Sequence, residues 1–171
     1  MSKTKRLCII SMLLAMAIVL NILESFIPFG IPGVKLGLAN IIILIMLYEF
    51  KPYEALAVNI LRILLVGLLR GNFLSPTFIM SLSGGMLSFL VMYLFSRIKV
   101  FSPIGVSVLG AVSHATGQVI AAIILLGTQA VLYYLPLIGL LSIGTGIISG
   151  IITRLYLKKS ITARFIEKSA K

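Results

Sequence analysis

Five sets of polar side chains interrupt the apolar stretches of this chain, and their types and spacing define the chemistry open to it. Asn21 and Glu24 stand one helical turn apart, Asn59 and Arg62 three residues apart, and His114 and Gln118 four apart, so each pair shares one face of a helix. Lys35 and Asn40 belong to the run Gly33-Val34-Lys35-Leu36-Gly37-Leu38-Ala39-Asn40, and Arg70 and Asn72 flank Gly71. Charges and amides within a membrane helix are costly enough that they face a cavity or a partner by default. One carboxylate against two arginines and a lysine leaves an excess of positive charge. Such a set suits a small carboxylate or phosphate, because guanidinium grips either one through two parallel hydrogen bonds. Glu24, Lys35, Asn40, Arg62, Arg70, His114 and Gln118 are therefore the candidate substrate-binding residues. Plainer roles compete: Arg62 can pair with Glu24 or snorkel, and His114 and Gln118 can bond helix to helix. The amides can serve as helix glue, and Lys35 and Arg70 as headgroup anchors.

Absent residues narrow the chemistry further. The four acidic residues, Glu24, Glu49, Glu54 and Glu167, are all glutamates, so an aspartate-rich magnesium-diphosphate site cannot be built and the chain is read as a non-enzyme. The GxxxxGK[ST] phosphate loop is missing too, which removes the usual means of using ATP. A lone cysteine, Cys8, excludes an internal disulfide and a multi-cysteine metal site. No metal ion and no other cofactor is expected, and the methionines are ordinary apolar packing.

The elements that must position these residues follow from composition. Of 171 residues, 60% are hydrophobic and 11% charged, with a mean hydropathy of +1.16, whereas soluble domains carry about twice that charged fraction. The chain is an all-α membrane protein. Pro28, Pro32, Pro52, Pro76, Pro103 and Pro136 fall near the ends of apolar blocks, and proline interrupts a helix by removing a donor. The predicted transmembrane helices are 7–27, 34–50, 53–70, 76–96, 104–127 and 136–157, a six-helix bundle. Residues 1–157 form a single integral membrane domain and 158–171 a basic tail. The first 20 residues resemble a signal peptide, but the apolar run continues to Ile27, which favours an uncleaved helix. The second block has the shortest apolar core, Ile41 to Leu47, and reads as a tilted or re-entrant segment.

An even number of crossings puts both termini on one side. With that side cytoplasmic, Lys3, Lys5, Arg6, Lys51, Arg97, Lys99, Arg154, Lys158, Lys159, Arg164, Lys168 and Lys171 lie inside, and only Lys35 and Arg70 outside. Topology therefore accounts for most of the net charge of +11, and nucleic acid is not needed as a partner. On this topology the polar residues gather in the outer half, where groups from four helices can converge on one cavity open to the outside. Small residues spaced by four, Ser11 and Ala15, Gly67 and Gly71, Ala111 and Ala115, Gly146 and Gly150, allow close helix approach within the bundle or against another subunit.

The Pro32 to Asn40 run, Arg62, Arg70-Gly71-Asn72-Phe73, Ser83-Gly84-Gly85 and Ser113-His114-Ala115-Thr116-Gly117-Gln118 together resemble the Gx transporter family, also known as heptaprenyl diphosphate synthase component I. The resemblance covers roughly residues 7–157 and extends to the substrate-binding S components of energy-coupling factor transporters. It implies a bacterial plasma membrane protein that binds a vitamin- or quinone-precursor-like solute from outside. Uptake would be driven by a transmembrane coupling protein and a pair of ATPases. Small residues on the first helix contact the coupling protein in that group, a role that falls to Ser11 and Ala15, with Ser11 in place of the usual first alanine. The other half of the family name implies a different partner, a soluble prenyl diphosphate synthase subunit to which this chain is a non-catalytic membrane accessory. A purely structural anchor would leave Arg62, His114 and Gln118 without a purpose.

Overall fold

Proline sets where the central helices begin. The computed structural model describes residues 3–26 and 37–169, and three helices start on a proline, where the missing N–H has no partner to lose: α3 (Pro52–Leu69), α4 (Pro76–Ser96) and α5 (Pro103–Leu126). Local side chains close their first turns. Ser75 Oγ accepts from Phe78 N–H, Ser102 Oγ accepts from Gly105 N–H, both at 3.3 Å, and the Glu54 carboxylate accepts from Lys51 N–H at 3.0 Å. The remaining elements are α1 (Lys3–Glu24), α2 (Asn40–Glu49) and α6 (Leu135–Ser169), with a short 3-10 turn, Gln129–Tyr134, ahead of α6.

The central boundaries fall within a residue of those expected, and the differences have identifiable causes. Helix α2 begins at Asn40, not at 34, because Gly37 sits at φ +85°, a left-handed conformation that a helix cannot include; residues 34–36 lie outside the described residues. Helix α6 runs on to Ser169, past the expected stop at 157, since the basic stretch contains neither proline nor glycine to end it. Helix α1, expected over 7–27, starts four residues earlier, at Lys3, and ends three residues earlier, at Glu24, where Ser25 and Phe26 form a turn.

Five of the six helices are long and apolar enough to cross a membrane, which makes this a multi-pass membrane protein. Helix α2, with 10 residues, is not; at 1.5 Å per residue it covers about half of the hydrocarbon core. It can be short because it is sheltered. Every residue from Asn40 to Met46 is buried, and α2 contacts all five other helices. Those five form a row in the order α1, α3, α4, α5, α6, with α1 and α6 making no close approach to each other among the described residues.

Successive helices alternate in direction, so Arg6, Lys51, Arg97 and Arg154 all fall at one end of the bundle, called here the basic end. There Arg6 joins α1 to α3 through two bonds to Glu54, Nε to Oε1 at 2.9 Å and Nη2 to Oε2 at 2.6 Å. Two apolar clusters occupy different depths. One, on the basic-end side, gathers residues of α1 to α5 around Ile43, Leu44 and Met46; the other packs Met80, Val119, Ala122, Val131 and Ile138. Glycines bring the helices together between and beside them. Gly84 and Gly117 place the backbones of α4 and α5 against each other, and Gly146 and Gly150 face Val108 and Ile104 across the contact of α6 with α5.

Candidate functional site

Between the two apolar clusters lies a layer of buried polar side chains contributed by α1 to α5: Asn21, Glu24, Asn40, Asn59, Arg62, Ser88, His114 and Gln118. Each is at most 6% exposed, and Arg62 is the largest fully buried side chain among the described residues.

Arg62 is the centre of this layer. Its Nε donates to Asn59 Oδ1 at 3.1 Å, and its Nη2 donates to the same oxygen at 2.9 Å and to Asn40 Oδ1 at 2.8 Å. Both amides have their remaining ends fixed on α4. Asn40 Nδ2 donates to Ser88 Oγ at 2.9 Å, and Asn59 Nδ2 donates to the Gly85 carbonyl at 3.1 Å. Gly85 is part of the reason the guanidinium fits, since a Cβ there would stand 3.7 Å from both Arg62 Nη2 and Asn59 Oδ1 and only 2.7 Å from Ile63 Cδ1. Arg62 Nη1 makes no hydrogen bond to any described residue, and no carboxylate among them comes within ion-pair distance of the guanidinium. A guanidinium offers five donors in one plane, so two N–H groups of this cation have no acceptor among the described residues.

Glu24 and His114 complete the layer around the start of α2. The buried Glu24 carboxylate accepts from Gly37 N–H, tying the end of α1 to the turn before α2, and it stands within electrostatic reach of Arg62. His114 and Gln118 share a face of α5, with Nε2 of each 2.9 Å apart. Either ring nitrogen of an imidazole can donate or accept, so this contact joins the two side chains whichever of them supplies the proton. At Gly37 a Cβ would meet Asn40 Nδ2 at 2.8 Å and the His114 ring at 3.4 Å. Gly37→Ala is therefore expected to lower the melting temperature of the detergent-purified protein through a backbone strain of about 1–2 kcal/mol. It should also push the Asn40 amide off Arg62, seen as weakened anion binding that a neutral surface substitution does not cause.

Of the seven expected binding residues, five are therefore buried in one layer: Glu24, Asn40, Arg62, His114 and Gln118. Arg70 is not among them; it is exposed at the C-terminal end of α3, at the end of the bundle opposite the basic one. Lys35, with the Pro28 to Val34 segment expected to act as a lid, lies outside the described residues. The layer includes Asn21, Asn59 and Ser88, which the expected set omits. Ser88 left a signal in the sequence, standing one turn beyond the Gly84-Gly85 pair on the face that meets α5. Ser11 and Ala15 are exposed on α1, while Ala111 and Ala115 are buried in the bundle. Among the described residues no group of three or more histidine, cysteine or acidic side chains could hold a metal ion.

No curated protein and no solved structure matches the chain. A family model does, over residues 13–156, and its description is heptaprenyl diphosphate synthase component I. The chain belongs to that family.

Proposed function

We propose that this component I is a non-catalytic membrane subunit whose buried polar layer binds a small anionic solute. One observation carries the reading: Arg62 is buried in mid-bundle, held by neutral amide oxygens, with Nη1 making no hydrogen bond to any described residue. A carboxylate or phosphate is the partner that a planar, half-engaged guanidinium recognises best. Asn40 and Asn59 hold the cation in place, Glu24 and the His114–Gln118 pair orient the solute, and Lys35 and Arg70 attract it at the mouth of the site. In this reading both termini face the cytoplasm of a bacterium, the basic stretch 158–171 lies along the inner surface, and the solute comes from outside. Its class is that of a vitamin or quinone precursor. Uptake then needs energy from elsewhere, since the chain has no phosphate loop, and a transmembrane coupling protein with a pair of ATPases supplies it. The exposed Ser11 and Ala15 on α1 are the contact offered to that partner.

The family name favours a second reading, in which the same layer belongs to an accessory of a soluble prenyl diphosphate synthase subunit. Catalysis would then rest with that subunit, because this chain has no aspartate with which to hold magnesium on diphosphates. Affinity purification of the full chain from its native membrane, followed by native mass spectrometry, separates the two. Recovery of an ATPase pair with a second membrane protein is the expected result. Recovery of a soluble prenyl synthase without ATPases would replace the transport reading with the accessory one.

A further inference from the structure

Helix α6 carries a second kind of cationic site, at the basic end and far from Arg62. A cleft of about 240 Å³ opens there between α6 and the first turn of α5, lined by Ile104, Ile151, Arg154, Leu155 and Lys158. The four α6 residues recur at helical spacing on one face, and the lining contains two cations, three branched apolar side chains and no acid. Arg6 and Arg97, at the same end, are committed. Arg6 is bonded to Glu54, and Arg97 lies over the Tyr93 ring at 5.2 Å, whereas Arg154 makes no hydrogen bond or ion pair with any described residue.

The apolar side of the cleft continues along the helix. One and two turns from Arg154 toward the middle of the bundle, α6 presents exposed Ile151 and Ile148 to the surroundings, followed by exposed Gly144, beside which a Cβ would meet nothing within 4 Å. A charged pocket that empties into an apolar track matches an amphiphile, with a phosphate at one end and hydrocarbon at the other. The volume suits a headgroup and its first methylenes, not a whole drug-sized ligand, for which pockets run from about 300 Å³ upward. The first turn of α5 adds its N-terminal dipole field, which also favours an anion.

We propose that this cleft is a binding site for one anionic phospholipid of the leaflet at the basic end, with its phosphate between Arg154 and Lys158 and an acyl chain along Ile151 and Ile148. Arg154 contributes the planar fork and Lys158 the mobile point charge. The site is independent of the solute-binding layer, so the inference survives or fails apart from the function proposed above.

The test uses the full chain purified in a mild detergent with phosphatidylglycerol or phosphatidylcholine added, read by native mass spectrometry. The expected result is retention of a single phosphatidylglycerol and no matching retention of phosphatidylcholine. The double variant Arg154→Gln/Lys158→Gln should lose that retention by about tenfold or more, as expected from removing two cations near a membrane surface. Arg97→Gln/Lys99→Gln, which removes the same charge elsewhere at this end, should keep it, as should Arg62→Gln. Equal retention of the two lipids, equal loss in both double variants, or displacement of phosphatidylglycerol by inorganic phosphate alone would each overturn the proposal. If Arg154→Gln/Lys158→Gln does not purify as a folded protein, Arg154→Lys supplies the test, with a partial loss expected and none overturning the assignment.

Discussion

Gly117→Val should leave little folded protein. The Cβ that valine brings would stand 2.9 Å from Gly84 Cα, 3.0 Å from Ser83 O and 3.1 Å from Gly84 N. All three are backbone atoms of α4, and none can turn aside. The substitution also disturbs the bond from Ser83 Oγ to the Gly117 carbonyl, at 2.8 Å. Separating α4 from α5 moves His114 and Gln118 away from the layer that Asn40 and Ser88 anchor on the other side, so packing and site fail together. Overpacking of a core costs about 1–3 kcal/mol where side chains can adjust, and a backbone-to-backbone crossing belongs at or above the top of that range. Gly110→Ala supplies the contrast. Its Cβ would come within 2.4 Å of Met92 Cγ, a shorter distance still, but the obstacle is a side chain that a change of χ1 can shift and not a helix backbone, so a loss within the side-chain overpacking range is expected. Gly144→Ala, with nothing within 4 Å, should be neutral or gain up to about 1 kcal/mol from helix propensity. Size-exclusion yield and melting temperature in detergent read all three. A Gly117→Val protein that melts like the parent would show that α4 and α5 do not cross at this glycine pair.

The contrast between those glycines bears on what could be read from residues alone. Prolines at helix starts are visible in any sequence, and the boundaries of α3, α4 and α5 follow from them to within a residue. The costly groups inside apolar runs are equally visible, and Glu24, Asn40, Arg62, His114 and Gln118 do share one buried layer. Other features required tertiary information. In lipid a helix is apolar on its outward face as well as its inward one, so periodicity does not say which face meets a neighbour. That is why Ser88, a small hydroxyl among many, did not stand out as the partner of Asn40. Arg70 shows the converse limit. An arginine at a helix end beside glycine suits a cavity mouth and a headgroup region equally well, and the fold leaves it exposed. Helix α2 looked weak because its apolar core is short; enclosure by five other helices is what makes a helix of 10 residues tenable at that depth.

Arg62→Gln should weaken anion binding severely, by about 30-fold at least, while the bundle remains folded. Two opposing contributions set the stability. The buried cation carries a desolvation penalty of several kcal/mol that glutamine does not, and its removal is favourable. Against that, three charge-assisted bonds to Asn40 and Asn59 are lost, each contributing about 1.5–3 kcal/mol, and glutamine can restore one or two as neutral bonds. Part of the residual destabilisation has a specific source, because the favourable electrostatic interaction between Arg62 and the buried Glu24 carboxylate is lost. Glu24→Gln/Arg62→Gln should therefore recover part of the melting temperature that Arg62→Gln loses. It should not recover binding. Truncating one side of a buried charge pair at an interface costs about 2–5 kcal/mol, so affinity for the small carboxylate or phosphate that best raises the parent's melting temperature should fall by roughly 30-fold to several thousand-fold. Arg62→Lys keeps the charge but not the planar fork, and an intermediate affinity is expected. Calorimetric titration of the four proteins in detergent, beside their melting curves, makes the distinction. If the double variant is stable and still binds the anion as the parent does, Arg62 is a packing residue and the solute site lies elsewhere. If it is stable and its binding is severely weakened, the buried guanidinium is what recognises the solute.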